Sequence, residues 1–174
     1  MKKDVSAILA LSQNQVYGQD GEMLWYIPED FVHFKRLTLG ATVIMGHQTW
    51  NSLPHRNRPL PERENIILSR NSELVVEGAI VASSFEEALA IASYPKIFGI
   101  GGLDIWSRTM DVAKEAWITV VKKHYPVIPG MTRVAPQFLH VEERWPEFQL
   151  HENSIYKSSG SDALEFEIQH WVRS

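Results

Sequence analysis

The segment KIFGIGGLDIWSRTM, residues 96–110, is an apolar run of strand length that ends in paired glycines and passes directly into a helix-like stretch. Its first half lacks polar alternation, as a strand covered on both faces does. Small residues at such a turn let the backbone approach a flat ring or a pyrophosphate, and the helix end favours an anion. The segment is not a GxGxxG fingerprint, because Asp104 stands where the third glycine belongs and the turn lies deep in the chain. Taken alone, Gly101 and Gly102 fit a tight turn without a ligand equally well.

The arrangement recurs in VIMGHQTWNSL, residues 43–53, where Gly46 ends a strand and His47 to Thr49 open a helix. Two such turns at one edge of a parallel sheet would flank a dinucleotide. Further buried-strand runs are VSAILAL, NIILS, AIVAS and AWITVV, and helices are predicted over 28–38, 47–53, 84–93 and 103–110. Ser84 and Glu87 are spaced as a capping box. Alternation of strand and helix favours parallel pairing through right-handed crossovers. Residues 148–173 change character, with two strand-like pieces around a Ser/Gly turn, and predict an antiparallel hairpin. The predicted fold is α/β, a single domain over 1–174 with a mostly parallel central sheet flanked by helices and a C-terminal hairpin.

A chain of 174 residues with 44% hydrophobic content fits one core. Seventeen basic against 21 acidic residues leave a formal charge of −4, with no footprint for nucleic acid or an anionic membrane. The absence of cysteine excludes disulfides and thiolate chemistry and agrees with a reducing, cytoplasmic compartment. No run approaches the roughly 20 apolar residues of a membrane span. The seven histidines show no metal-ligand spacing, so no metal is expected, and no GxSxG motif supports a serine nucleophile.

Within GEMLWYIPEDFVHFKR, residues 21–36, Pro28 and the acids Glu29 and Asp30 suit the first turn of a helix. Helical spacing aligns Asp30 with Ile27, Phe34 and Leu37 on an apolar stripe, opposite a Glu29/His33/Arg36 side. Two readings stand: a solvated helix-terminal acid, or a partly buried carboxylate awaiting a hydrogen-bonding partner. His47, Arg63 and Arg70 likewise read as surface residues unless a ligand claims them.

From Val5 onward the chain resembles bacterial dihydrofolate reductase. The resemblance is carried by ILALSQNQVYG, MLWYIPEDFVHFKRLT, VIMGHQTW, RPLPERENIILSR, FGIGG, WIT and FEIQHW in collinear order. It implies hydride transfer from NADPH to 7,8-dihydrofolate, giving the tetrahydrofolate of one-carbon metabolism, in a cytoplasmic monomer that binds antifolate inhibitors. It implies that Asp30 binds the pterin through paired hydrogen bonds, backed by Thr119, with Trp25 ordering water. Ile8, Leu9, Phe31, Phe34, Leu53 and Ile100 would line the substrate pocket, and Arg63 would clamp the glutamate carboxylate. Gly18, Met23, Gly46, His47, Thr49, Leu68, Ser69, Arg70, Gly101, Gly102 and Trp106 would hold the cofactor, Ser69 and Arg70 at its 2′-phosphate.

The chain departs from the residues that the resemblance leads one to expect: Leu24 stands for a proline, His47 for an arginine, Leu103 for a third small residue, Trp106 for a tyrosine and Met131 for an aspartate. Two alternatives remain open: a reductase of another ring in the riboflavin pathway, and a catalytically silent NADPH- or folate-binding module.

Overall fold

The computed structural model describes residues 1–174. Its elements are β1 (Asp4–Ser12), β2 (Val16–Gln19), α1 (Pro28–Thr38), β3 (Thr42–Gly46), α2 (His47–Ser52), β4 (Glu64–Leu68), β5 (Ile80–Ala82) and α3 (Phe85–Ile91). There follow β6 (Lys96–Gly101), α4 (Leu103–Val112), β7 (Glu115–Val121), β8 (Thr132–Val134), α5 (Val141–Arg144), β9 (Phe148–Lys157) and β10 (Glu165–Arg173). Eight strands hydrogen-bond in the order β5-β4-β3-β6-β1-β7-β10-β9. The pairs β1/β6, β3/β6, β3/β4 and β4/β5 are parallel, and β10 runs antiparallel to β7 and β9. The predicted mostly parallel sheet and antiparallel C-terminal hairpin are both present. By its contacts the chain divides into two compact units, Met1–Ile8 with Arg36–Ala113, and Leu9–Lys35 with Lys114–Ser174.

In the first unit the non-alternating runs become fully covered strands, with Val43, Ile44, Met45, Ile66, Ile67 and Ile97 at 0% exposure. Helix α4 lies directly on β6: a Cβ at Gly99 would stand 1.9 Å from Thr109 Oγ1. Ser84 caps α3 by accepting from Glu87 N–H at 3.0 Å, while the Glu87 carboxylate reaches back to Ser83 N–H, one residue before the expected capping-box partner.

In the second unit Trp25, Ile27, Val121 and Phe166 form a buried cluster against which Leu24, Tyr125 and Ile168 pack. The two-stranded ribbon of β2 and β8 was not expected from the sequence, because both strands are too short to show alternation. One side of α1 also differs from expectation. His33, assigned to the solvent side, is 6% exposed and meets the edge of Trp117 at 5.4 Å between ring centroids. The aromatic surface offered by Trp117 widens the buried face of α1 to include a position that helical spacing alone puts at its border.

Candidate active site

Helix α1 starts where the sequence places it: Asp30 and Phe31 N–H both donate to Ile27 O, at 3.1 and 3.3 Å. The two acids of its first turn then part. Glu29 accepts hydrogen bonds from Ser159 N–H at 2.7 Å and Ser158 Oγ at 3.2 Å, in the turn between β9 and β10. Those bonds, led by the ones from Ser159, bring its pKa down to about 2. Asp30 instead faces β7, where Thr119 Oγ1 donates to its Oδ1 at 2.7 Å. Burial raises its pKa from 3.8 to about 6, against the lowering pull of the Thr119 hydroxyl. A carboxyl poised near neutrality beside one neutral donor suits a ligand that offers further donors, and it suits proton traffic.

On the same helix Phe34 is half-buried and Phe31 exposed, and Leu9 is buried in β1. Trp25 is 6% exposed, tilts against Tyr125 at 5.7 Å, and has a buried indole N–H without a protein acceptor. A buried donor of this kind fits water or a polar ligand atom. The segment carrying Gly18 and Met23 folds back on itself and is bonded to the residue before β8. Gln19 and Glu22 exchange backbone hydrogen bonds at 2.9 and 3.0 Å, and Asp20 N–H donates to Met131 O at 2.9 Å. The Met131 carbonyl thus adds one bond to the pairing of β2 with β8, at a position where the resemblance leads one to expect an aspartate.

In the first unit the two strand-to-helix turns stand side by side, as their shared pattern predicts. A Cβ at Gly46 would lie 3.8 Å from Gly101 O and 3.9 Å from Gly102 N. Neither α2 nor α4 has a side-chain N-cap, so their first backbone N–H groups are free of that competition. Gly101, at φ +135°, is the one place where this cradle requires glycine: a Cβ would meet both Thr49 Oγ1 and Trp106 Cζ2 at 3.2 Å. Trp106 Nε1 donates to Ile8 O at 3.0 Å, which fixes the ring beside Gly101. Ile100 is buried in β6, and Leu68 pairs in register with Gly46. Ser69 Oγ accepts from Asn71 N–H at 3.1 Å, and His47 and Arg70 are exposed. These glycines, hydroxyls and helix ends, with the Arg70 guanidinium, have the chemistry that a nicotinamide dinucleotide phosphate requires.

Leu53 closes α2, half-buried, with its N–H on Trp50 O at 3.2 Å. Arg63 is anchored rather than solvated: Nε donates to Pro61 O at 2.8 Å and Nη1 to Thr38 Oγ1 at 3.0 Å. Burial lowers the pKa of its guanidinium, with Glu62 opposing. Sequence reasoning missed Thr38, although it continues the α1 stripe one turn beyond Phe34. It also missed the Glu29 tie, which depends on a turn 129 residues away.

Together these features define an α/β protein with a nucleotide-type pair of turns and a proton-active carboxyl. The chain matches the family model "Dihydrofolate reductase" over residues 4–173. It is 43% identical to the dihydrofolate reductase of Mycobacterium leprae over 118 residues, which are 67% of this chain and 72% of that protein. Over 118 residues it is 42% identical to the dihydrofolate reductase of Neisseria meningitidis, with the same coverage of 67% and 72%. A solved structure of Enterococcus faecalis dihydrofolate reductase, complexed with NADP(H) and RAB-propyl, shares its fold with a TM-score of 0.81 at 22% identity, covering 98% of this chain and 96% of that one. The chain belongs to the dihydrofolate reductase family.

Proposed function

We propose that this chain reduces 7,8-dihydrofolate to 5,6,7,8-tetrahydrofolate, with Asp30 as both the anchor of the pterin and the group that promotes protonation of N5. The observation that carries this reading is the Asp30 carboxyl, raised to about 6 by burial and held by Thr119 at 2.7 Å. Its two carboxylate oxygens, one of them also bonded by Thr119, accept from the pterin 2-amino group and the adjacent ring N–H, and this paired bonding offsets the burial. Bound NADPH supplies the hydride that adds to C6. The proton needed at N5 balances the reaction, and Asp30 is the acid that delivers it or orders the water that does, with the Trp25 indole N–H as a second anchor for that water.

Thr119 keeps Asp30 oriented, and Ile8, Leu9, Phe31, Phe34, Leu53 and Ile100 enclose the pterin and aryl rings. Arg63, prepositioned by Thr38, takes the glutamate α-carboxylate through its planar fork. The cofactor is held by Gly46, Thr49, Gly101, Gly102 and Trp106 along the cradle and by Gly18 and Met23 from the loop. His47, Leu68, Ser69 and Arg70 receive its phosphates and adenosine. No helix is long and apolar enough to cross a membrane. The same reading makes the protein a cytoplasmic monomer, one domain over 1–174, that binds antifolate inhibitors.

The test is the loss of 340 nm absorbance with dihydrofolate and NADPH. Stoichiometric binding of both without consumption of either would replace the enzyme with a silent binding module.

A further inference from the structure

We propose that Asn14 is a positioning residue for the reaction: its side-chain amide clamps Tyr125, and the clamped ring holds Trp25 so that the indole N–H stays on the water that serves Asp30. The inference rests on the reading of Asp30 as the proton-active group with Trp25 as the anchor of its water. Its starting point is a polar side chain in the connection between β1 and β2. Asn14 Oδ1 accepts from Tyr125 N–H at 3.0 Å and from Ser12 Oγ at 2.8 Å, and Asn14 Nδ2 donates to Tyr125 O at 2.8 Å. The amide thus exchanges two bonds with one backbone residue, as directly opposed residues of an antiparallel ladder do, across 111 positions of sequence.

The chain bends sharply to deliver this amide. Gln15 adopts φ +72°, in the left-handed region that a residue with a Cβ rarely takes. Its N–H closes the turn on Ser12 O at 2.9 Å, and Val16 N–H donates to Ser12 Oγ at 3.0 Å. A non-glycine residue keeps such a conformation where its surroundings impose it, and strain of this kind gathers at functional positions. Here the imposing contacts run to the end of β7 and the segment after it: Asn14 to Tyr125, and Gln13 N–H to Val121 O and Lys123 O at 2.9 and 3.2 Å.

What the clamp holds is a ring. Tyr125 tilts against Trp25 with centroids 5.7 Å apart, and Lys123 Nζ stands over the Tyr125 ring at 5.1 Å. Trp25 is buried, and its indole N–H has no protein acceptor to fix its direction. Its orientation is therefore set by packing, and Tyr125 joins that packing to a hydrogen-bonded frame.

The experiment follows wild type, Asn14→Ala, Asn14→Asp, Tyr125→Leu and Tyr125→Phe by two readouts. The first is the hydride step with dihydrofolate in single turnover across pH. Loss of the clamp or of the ring predicts a rate about three- to tenfold lower at pH 7 in Asn14→Ala and Tyr125→Leu. The deficit should close in acid, where N5 is protonated without the enzyme, and Tyr125→Phe, which keeps the ring, should match wild type. The second readout is hydrogen exchange of the Trp25 indole N–H in the apo protein, assigned by NMR with Trp25→Phe. Exchange should quicken about three- to tenfold in the same two variants. Asn14→Asp keeps the acceptor and loses only the donor, so it replaces Asn14→Ala if that variant does not fold. A rate deficit equal at all pH values marks a merely structural role and would overturn the proposal, as would unchanged indole exchange. If wild type consumes no dihydrofolate, the reaction assignment fails on its own, and the exchange rates still decide the clamp.

Discussion

Replacing Asp30 with asparagine is expected to remove activity and add stability, and the stability effect has its own pH signature. Burial raises the folded-state pKa of the carboxyl from 3.8 to about 6. A group raised in this way contributes stability that is complete below the unfolded value and lost as pH climbs through the folded value. Above that point the fold retains an ionised carboxylate that it would hold better protonated. Between pH 4.5 and 6 this covers about one and a half pH units, which at ~1.36 kcal/mol each amounts to ~2 kcal/mol. Asparagine is nearly isosteric, and its Oδ1 still accepts the Thr119 hydrogen bond, but it does not titrate. The unfolding free energy of Asp30→Asn relative to wild type should therefore improve by ~2 kcal/mol from pH 4.5 to 7.5, or about 4–8 °C in Tm for a chain of this size. Urea unfolding of the apo protein at both pH values measures it, since any pH-independent cost of the mutation cancels. An advantage that does not change with pH would refute the raised pKa. In the same mutant the hydride step at pH 7, read by single-turnover kinetics with deuterated NADPH, should fall by about two orders of magnitude. Activity should return in acid, where N5 is protonated in solution without help from the enzyme. A near-normal rate at pH 7 would return Asp30 to a helix-terminal acid.

Thr119→Val removes the 2.7 Å bond that lowers the Asp30 pKa. Charged hydrogen bonds of ~1.5–3 kcal/mol imply an upward move of about one to two units in the pH at which the hydride step declines, visible in the single-turnover pH profile. Thr38→Val should raise KM for dihydrofolate but not for a pterin lacking glutamate, and Thr38→Ser should restore it. Equal effects on both would make the Thr38–Arg63 bond purely structural. Arg70→Ala should lower the preference for NADPH over NADH by about tenfold or more, measured by cofactor titration. An unchanged preference would remove Arg70 from the 2′-phosphate site.

What was legible in the sequence was local or periodic. Pro28 with two acids marks the start of α1, and Gly46 and Gly101–Gly102 each end a strand where a helix begins. The non-alternating apolar runs mark strands covered on both faces. What escaped depended on partners far along the chain. His33 is drawn inward by Trp117, 84 positions later, whose ring then stacks on His170 at 3.8 Å. The ribbon of β2 with β8 joins strands of four and three residues, too short for periodicity to register. Glu29, which helical position alone assigns to the helix end, is claimed by Ser158 and Ser159.

The departures from the family pattern show why residue identity and contact are separate matters. At position 131, where the resemblance leads one to expect an aspartate, the chain has a methionine, and Asp20 N–H is bonded by its backbone carbonyl. At position 24 leucine lacks the conformational restraint of proline, but it packs on the cluster of Trp25, Ile27, Val121 and Phe166. At position 106 an indole replaces a phenol, and its N–H reaches Ile8 O while its ring covers Gly101. A phenol hydroxyl can accept as well as donate, whereas an indole N–H only donates. Towards the Ile8 carbonyl, which only accepts, either group acts as the donor, so the indole N–H serves this bond as a phenol hydroxyl would. At these positions the contacts are made by what this chain has: a backbone carbonyl to Asp20 N–H, an indole N–H to Ile8 O, and a branched aliphatic side chain on the Trp25 cluster.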